Sequence, residues 1–245
     1  VLDGRRIVVT GGSSGIGREL VRGYVAHGAR VWAVARRAEQ LEETLAGLPA
    51  GRARSVPADI TSDAGRRAVA TAIDHAGGAL DVVVHAAGAL GPVGVGATLD
   101  RYPADAWCRV FEANVSAVHF LHQRLVRFLD AGDRPAIIGV SSSVGRKGRG
   151  TWGMYSISKR ALEGWLEVLA DEWPGRVYSV NPGGTRTPMR AEAVPDEDPS
   201  TIPTPADILP IFLRLAHPRS GHASGEKLDA RDWIGTDPWE GIAAS

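Results

Sequence analysis

Short β-branched runs alternate with helical stretches along almost the whole chain, and few folds accommodate that order. Strands read at 6–10, 30–35, 53–57, 81–85, 136–141, 176–180 and 227–228, with helices between them at 16–27, 38–45, 62–75, 104–129 and 154–172. The pattern predicts an α/β protein built on about seven parallel strands with helices on both faces. With 245 residues, 44% of them hydrophobic, the chain has enough apolar material for one such doubly wound domain over 1–245. No interruption marks a second domain, and no repeat of solenoid length is present. Two irregular stretches, 91–97 and 187–205, fall where sheets of this kind place substrate loops, and a tail follows from about 230.

Charge and cysteine usage exclude several classes of partner. The 28 basic residues balance 28 acidic ones, leaving no net field to draw in nucleic acid or an anionic membrane. Near the start the longest apolar run is Ile7-Val8-Val9, too short for a signal peptide or a membrane span. Cys108, the sole cysteine, permits no internal disulfide and reads as a small buried apolar residue. A soluble cytoplasmic protein is the expectation, and nothing in the chain suggests a metal.

The first strand runs into Thr10-Gly11-Gly12-Ser13-Ser14-Gly15-Ile16-Gly17 and then a helix. Glycines there let backbone approach a pyrophosphate, and the first-turn amides of the helix supply donors and a positive dipole. Farther on, Tyr155-Ser156-Ile157-Ser158-Lys159 puts a phenol and an ammonium four apart on one helix face. A cation fixed near a phenol favours the phenolate, so this pair predicts a tyrosine whose pKa is drawn down from about 10 toward neutrality.

Together, TGxxxGxG and YxxxK resemble the short-chain dehydrogenase/reductase family, in order and spacing, from the first strand to about Asp229. The resemblance implies a Rossmann-type fold, a nicotinamide cofactor and a catalytic set of Asn114, Ser142, Tyr155 and Lys159. Ser142 lies thirteen residues before Tyr155, as in the family, with Ser141 and Ser143 the alternatives by residue type. Tyr155 would give a proton to a carbonyl oxygen or take one from an alcohol, and Ser142 would hydrogen-bond that oxygen. By resemblance, Lys159 would lower the tyrosine pKa and bind the nicotinamide ribose, while Asn114 would hold a water in a proton relay.

The same likeness places the cofactor on Gly11, Ser13, Ser14, Gly15, Ile16 and Gly17, and gives Asp59, followed by Ile60, the adenine amine. Asp59 also reads as a helix N-terminal acid. His85-Ala86-Ala87-Gly88 stands where the family carries NNAG, which retains Ala87 and Gly88 beside the adenosine and leaves His85 a satisfied structural residue. Asn181-Pro182-Gly183-Gly184-Thr185-Arg186-Thr187 resembles PGxxxT, so Pro182, Gly183, Thr185 and the Thr187 hydroxyl would meet the nicotinamide carboxamide. After the second strand Ala35 occupies the place of the aspartate that selects NAD, and Arg36 and Arg37 follow it. A forked guanidinium suits a 2′-phosphate, which predicts NADP(H) over NAD(H), with Arg36 the principal contact. Ser14 lacks the basic side chain some NADP-dependent relatives carry there.

The substrate is the least legible part. Trp152 and Met189 are expected as apolar walls beside Ser142 and Tyr155. Arg146, Lys147 and Arg149 offer either a welcome to an anionic substrate or a solvated basic loop. Reduction of a carbonyl with NADPH is the leading expectation. Oxidation of an alcohol or polyol, and a dinucleotide-binding regulator without catalysis, are the alternatives. The family assembles through the helices bearing Asn114 and Tyr155, so a homodimer or homotetramer is expected, with Trp165 and Leu169 either at that contact or in the core.

Overall fold

The computed structural model describes residues 1–242. Its seven strands, β1 (Arg6–Thr10), β2 (Arg30–Ala35), β3 (Ala53–Pro57), β4 (Val82–His85), β5 (Ala136–Val140), β6 (Arg176–Asn181) and β7 (Lys227–Asp229), form one sheet. The strand order is β3-β2-β1-β4-β5-β6-β7, and each neighbouring pair is parallel. The chain winds outward from β1 in one direction and, after β3, returns to wind from β4 in the other. That reversal opens a crevice beyond the carboxyl ends of β1 and β4, where doubly wound sheets bind ligands.

Alternation along each strand sorts side chains into two cores. Ile7 and Val9 of β1, Val82 and Val84 of β4 and Ile138 of β5 face one side, with α1 (Gly15–Ala26) and α9 (Leu209–Ala216) packed there through Leu20, Tyr24, Ile211 and Phe212. Val8, Val83 and Ile137 face the other side. They meet α3 (Asp63–Asp74), α5 (Ala117–Asp130) and α7 (Gly153–Glu172) through Val69, Leu121, Leu125, Leu162 and Leu166. A short α2 (Ala38–Leu45) follows β2. At the amino end of the sheet the Asp81 carboxylate accepts from Arg6 N at 2.8 Å, Nε at 2.9 Å and Nη2 at 2.7 Å, so Asp81 ties β1 to β4 by side chain, and β4 itself begins at Val82.

Several elements differ from the sequence reading. The helix expected over 104–129 is three pieces: α4 (Ala104–Phe111), a π-helical turn at Glu112–Ser116, and α5. Short helix α8 (Pro188–Ala193) lies within the stretch read as irregular, and α6 (Ser143–Arg146) and α9, with Pro210 in its first turn, fall where no helix was assigned. The tail from 230 begins with a 3-10 turn at Ala230–Trp233 and folds back on the subunit: Trp239 lies 5.4 Å from the ring of His27 and 6.0 Å from His217. Its last three residues, 243–245, lie outside the described part. Among the described residues no helix is long and apolar enough to cross a membrane.

Candidate active site

A cavity of about 1010 Å³ opens along the carboxyl ends of β1, β4 and β5, and every residue expected to touch a cofactor lines it. The turn after β1 has the shape it does because two of its glycines have no room for a side chain. A Cβ at Gly17 would lie 2.2 Å from the Gly11 carbonyl oxygen, and one at Gly11, whose φ is +73°, 2.8 Å from the Ala87 amide nitrogen. That packing brings the start of α1 against the loop after β4. No side chain caps α1, and no acidic residue occupies its first turn, so the amides of Gly15, Ile16 and Gly17 face the cavity with their dipole uncompensated. An uncapped helix start lined by glycine fits a pyrophosphate.

Beyond β2, Arg36 and Arg37 are exposed on the cavity rim, and neither is paired with a carboxylate among the described residues. Across from them Asp59 accepts from Thr61 N at 3.0 Å and Thr61 Oγ1 at 2.7 Å through one oxygen, Oδ1. Ser62, not Asp59, caps α3, through a bond from Gly65 N at 3.0 Å. Asp59 is therefore held in place with Oδ2 open. At the other end Thr187 caps α8, accepting from Arg190 N at 3.2 Å, and Thr185 donates to the Pro182 carbonyl at 3.0 Å.

Tyr155 and Lys159 project from the first turns of α7, and Ser142 sits at the mouth of β5 as the residue before α6. Burial pushes the Tyr155 phenol above its ordinary pKa, opposed by a hydrogen bond with the Ser142 hydroxyl. This corrects the expectation of a tyrosine drawn downward by lysine. Lys159 Nζ donates to the Val140 carbonyl at 2.7 Å and stands 5.8 Å from the Tyr155 ring centroid, so desolvation of the phenolate outweighs the cation. The lysine is itself affected: burial lowers its pKa to about 8.

Asn114 sits in the π-helical turn, a distortion that recurs at functional sites. Its Oδ1 accepts from Ala89 N at 2.7 Å, while Nδ2 donates to Ala89 O and to Ser158 Oγ, both at 2.9 Å. Both amide hydrogens are used, so the side chain clamps the loop after β4 to α7. Alone among the expected site residues, Asn114 lies behind the cavity wall. A Cβ at Gly88 would be 3.2 Å from Asn114 Oδ1 and 3.7 Å from Lys159 Nζ, so Gly88 runs past both.

Three further expectations change, and one pair of alternatives is resolved. His85 is buried with neither ring nitrogen hydrogen-bonded, so it is not a satisfied histidine. Burial and the neighbouring His122 lower its pKa to about 3, leaving a neutral ring edge-on to Trp165 at 6.2 Å. Cys108 is exposed on α4 and lines the cavity, not buried. Arg146 is neither a substrate contact nor a solvated residue: it donates to Asp229 Oδ2 at 2.6 Å, to the Leu228 carbonyl at 2.7 Å and to Glu163 at 3.3 Å. Leu169 is in the core, and Trp165 packs partly against it while donating to His119 at 3.2 Å.

Sequence reasoning missed much of the apolar wall. Leu90 and Val144 pack on Tyr155, joined by Val93 and Ala193 beside the expected Trp152 and Met189. Their only signal was position, since Leu90 follows Gly88 by two and Val144 follows Ser142 by two. Among the described residues no group of histidine, cysteine or acidic side chains is placed to hold a metal ion.

Comparison with known proteins agrees with this geometry. The short chain dehydrogenase family profile matches residues 5–198, and the chain belongs to that family. It is an NAD(P)-dependent oxidoreductase by that membership. Similar proteins include the oxidoreductase YciK of Escherichia coli K12, 38% identical over 240 residues that cover 94% of this chain and 93% of that one. A rhamnolipid-biosynthesis 3-oxoacyl-[acyl-carrier-protein] reductase of Pseudomonas aeruginosa is 35% identical over 86% of this chain and 83% of its own. Among solved structures, a short chain dehydrogenase from Shigella flexneri complexed with NADP has a TM-score of 0.86 at 38% identity, covering 94% of this chain and 98% of that one. One from Escherichia coli CFT073 complexed with NADPH gives the same TM-score and identity, covering 94% and 97%.

Proposed function

We propose that the protein reduces a ketone or other carbonyl to an alcohol with NADPH, with Tyr155 as general acid. The observation that carries this reading is geometric: Tyr155 stands beside the Ser142 hydroxyl and about one helical turn from Lys159, and all three line a dinucleotide-sized cavity. A phenol so placed can give its proton to a carbonyl oxygen, and unpaired Arg36 and Arg37 favour NADPH, the reduced cofactor. The cofactor supplies the hydride when bound. Ser142 holds the carbonyl oxygen and stabilises the charge that develops on it, and Tyr155 delivers its proton to that oxygen. Lys159 would hold the ribose hydroxyls of a bound cofactor, and Asn114 keeps the loop after β4 in place against α7.

Arg36, seconded by Arg37, takes the 2′-phosphate, while Gly11 to Gly17 and the start of α1 take the pyrophosphate, Asp59 the adenine amine, and Thr187 the carboxamide. The unpaired state of both arginines supports NADPH, and the NADP- and NADPH-bound relatives agree with it. Segment 187–205 serves as the substrate loop, and the protein acts as a soluble homodimer or homotetramer.

The test follows nicotinamide absorbance with NADPH and NADH over a panel of ketones, ketoesters and quinones. Tyr155→Phe should lower kcat by about 10²–10⁴-fold with NADPH affinity retained. Residual rates equal to wild type would overturn the mechanism. Arg36→Glu should raise the NADPH KM by roughly 30-fold or more while leaving kcat, through loss of a charge-assisted bond and gain of repulsion. An unchanged KM would remove Arg36 from the phosphate.

A further inference from the structure

Beside Tyr155 the cavity is lined by Leu90, Trp152, Met189 and Ala193, which belong with Val93 and Val144 to one apolar cluster on its ring. Trp152 lies 5.9 Å from the Tyr155 ring at 41°, forming a flat face beside the reacting position. The guanidiniums that line this end of the cavity, Arg109 and Arg190, are already held. Arg190, on α8 and lining the cavity, is clasped by Glu197 through Nε at 2.6 Å and Nη2 at 2.5 Å. Arg109 pairs with Asp105, and Arg146 is bound to Asp229 and Glu163. Glu112 adds a negative charge to the lining. Unpaired Arg36 and Arg37 follow β2, which is three strand spacings from β5, about 14 Å.

A carboxylate or phosphate seated next to the reacting carbonyl would therefore lose water and find only Lys159, already held by the Val140 carbonyl and assigned to the ribose, as a nearby lining cation among the described residues, and burying a poorly paired charge is costly. An aromatic or aliphatic group would instead gain about 25 cal/mol for each Å² removed from water. We infer that the substrate presents its carbonyl on an apolar, uncharged skeleton, such as an aryl or alkyl ketone, a ketoester or a quinone, and that 2-oxo acids and phosphorylated ketones are rejected at Tyr155. This rests on the carbonyl-reductase reading above.

Two measurements on the full chain separate the class from the reaction. Calorimetry on NADPH-saturated protein compares methyl mandelate with mandelate, alcohols that NADPH does not reduce. The ester should bind at least about 30-fold more tightly, and mandelate binding within threefold of it, or better, would overturn the class. Turnover then compares methyl benzoylformate with benzoylformate, where kcat/KM should favour the ester by about 100-fold. Equal turnover of the acid would likewise overturn the class. Preferential binding of methyl mandelate with neither ketone reduced would support the apolar site and sink the reductase reading. Met189→Ala, on a helix with no buried residue, should weaken the ester about fivefold and leave mandelate unchanged. An unaltered ester affinity would place the ester elsewhere and overturn the assignment.

Discussion

Lys159 is a cation with almost no water around it, only 5% exposed and bonded to a single carbonyl. Its ammonium is disfavoured in the folded chain, where the proton leaves at about 8 against an ordinary 10.5. Between those values the unfolded chain binds more protons than the folded one, so this residue makes stability rise with pH across that window and adds nothing to the slope below it. The gain is on the order of 3 kcal/mol. Urea unfolding of cofactor-free protein at pH 7.5, 8.5 and 9.5 should show wild type gaining on Lys159→Met with each step. A parallel trend in both proteins would mean the lysine keeps its ordinary pKa. The spacing of Tyr155 and Lys159 was visible in sequence, but not their protonation. A pKa depends on which carbonyl, hydroxyl and apolar groups exclude water, and Val140, Ser142 and Leu90 reach the pair only through the fold.

Helix α7 carries a third residue at the same spacing. Glu163 lies four after Lys159, buried to 3% exposure. It accepts from Ser141 Oγ at 2.6 Å and Ser179 Oγ at 3.0 Å, and pairs with Arg146 and Lys227, both at 3.3 Å. Burial alone would raise its pKa, but those hydrogen bonds and charges together hold it below the ordinary carboxylate value. One carboxylate thus joins α7 to β5, β6, α6 and β7 immediately beside Ser142. Glu163→Leu should cost about 1–3 kcal/mol in urea unfolding, because the buried Ser141 and Ser179 hydroxyls lose their acceptor while Arg146 keeps Asp229. Glu163→Gln, which keeps an acceptor for both serines, should cost less. Equal stability of Glu163→Leu and wild type would show the node contributes nothing. Nothing in the local sequence distinguishes Glu163 from the other helix acids of α7, Glu167 and Glu172. The break of the long helix at Asn114 was equally hidden, since the π-helical turn accompanies an Asn114 bond to Ala89, twenty-five residues away.

At the scale of the molecule, α5 and α7 leave Phe120 and Val168 exposed on the outer surface. Apolar side chains there agree with the expected assembly through these helices. Sedimentation should give a species at a multiple of 25.9 kDa, and Val168→Glu should shift it toward the single chain. A wild-type monomer would remove that expectation. The order of β and α elements, the cofactor turn and the position of Arg36 after β2 were legible in sequence because each depends on neighbours: strand periodicity, glycines at fixed offsets, and the residue that ends a strand. Tertiary structure alone decided which charges are free. Arg146 and Arg190 look like Arg36 along the chain, yet Asp229 and Glu197 occupy the first two, while no carboxylate among the described residues reaches the third. Cys108 and His85 differ in the same way, one lining a cavity and the other sealed from water without a hydrogen-bond partner. Pairing and desolvation join residues far apart in the chain, 83 positions between Arg146 and Asp229 and 128 between Arg5 and Asp133, and local sequence carries no record of them.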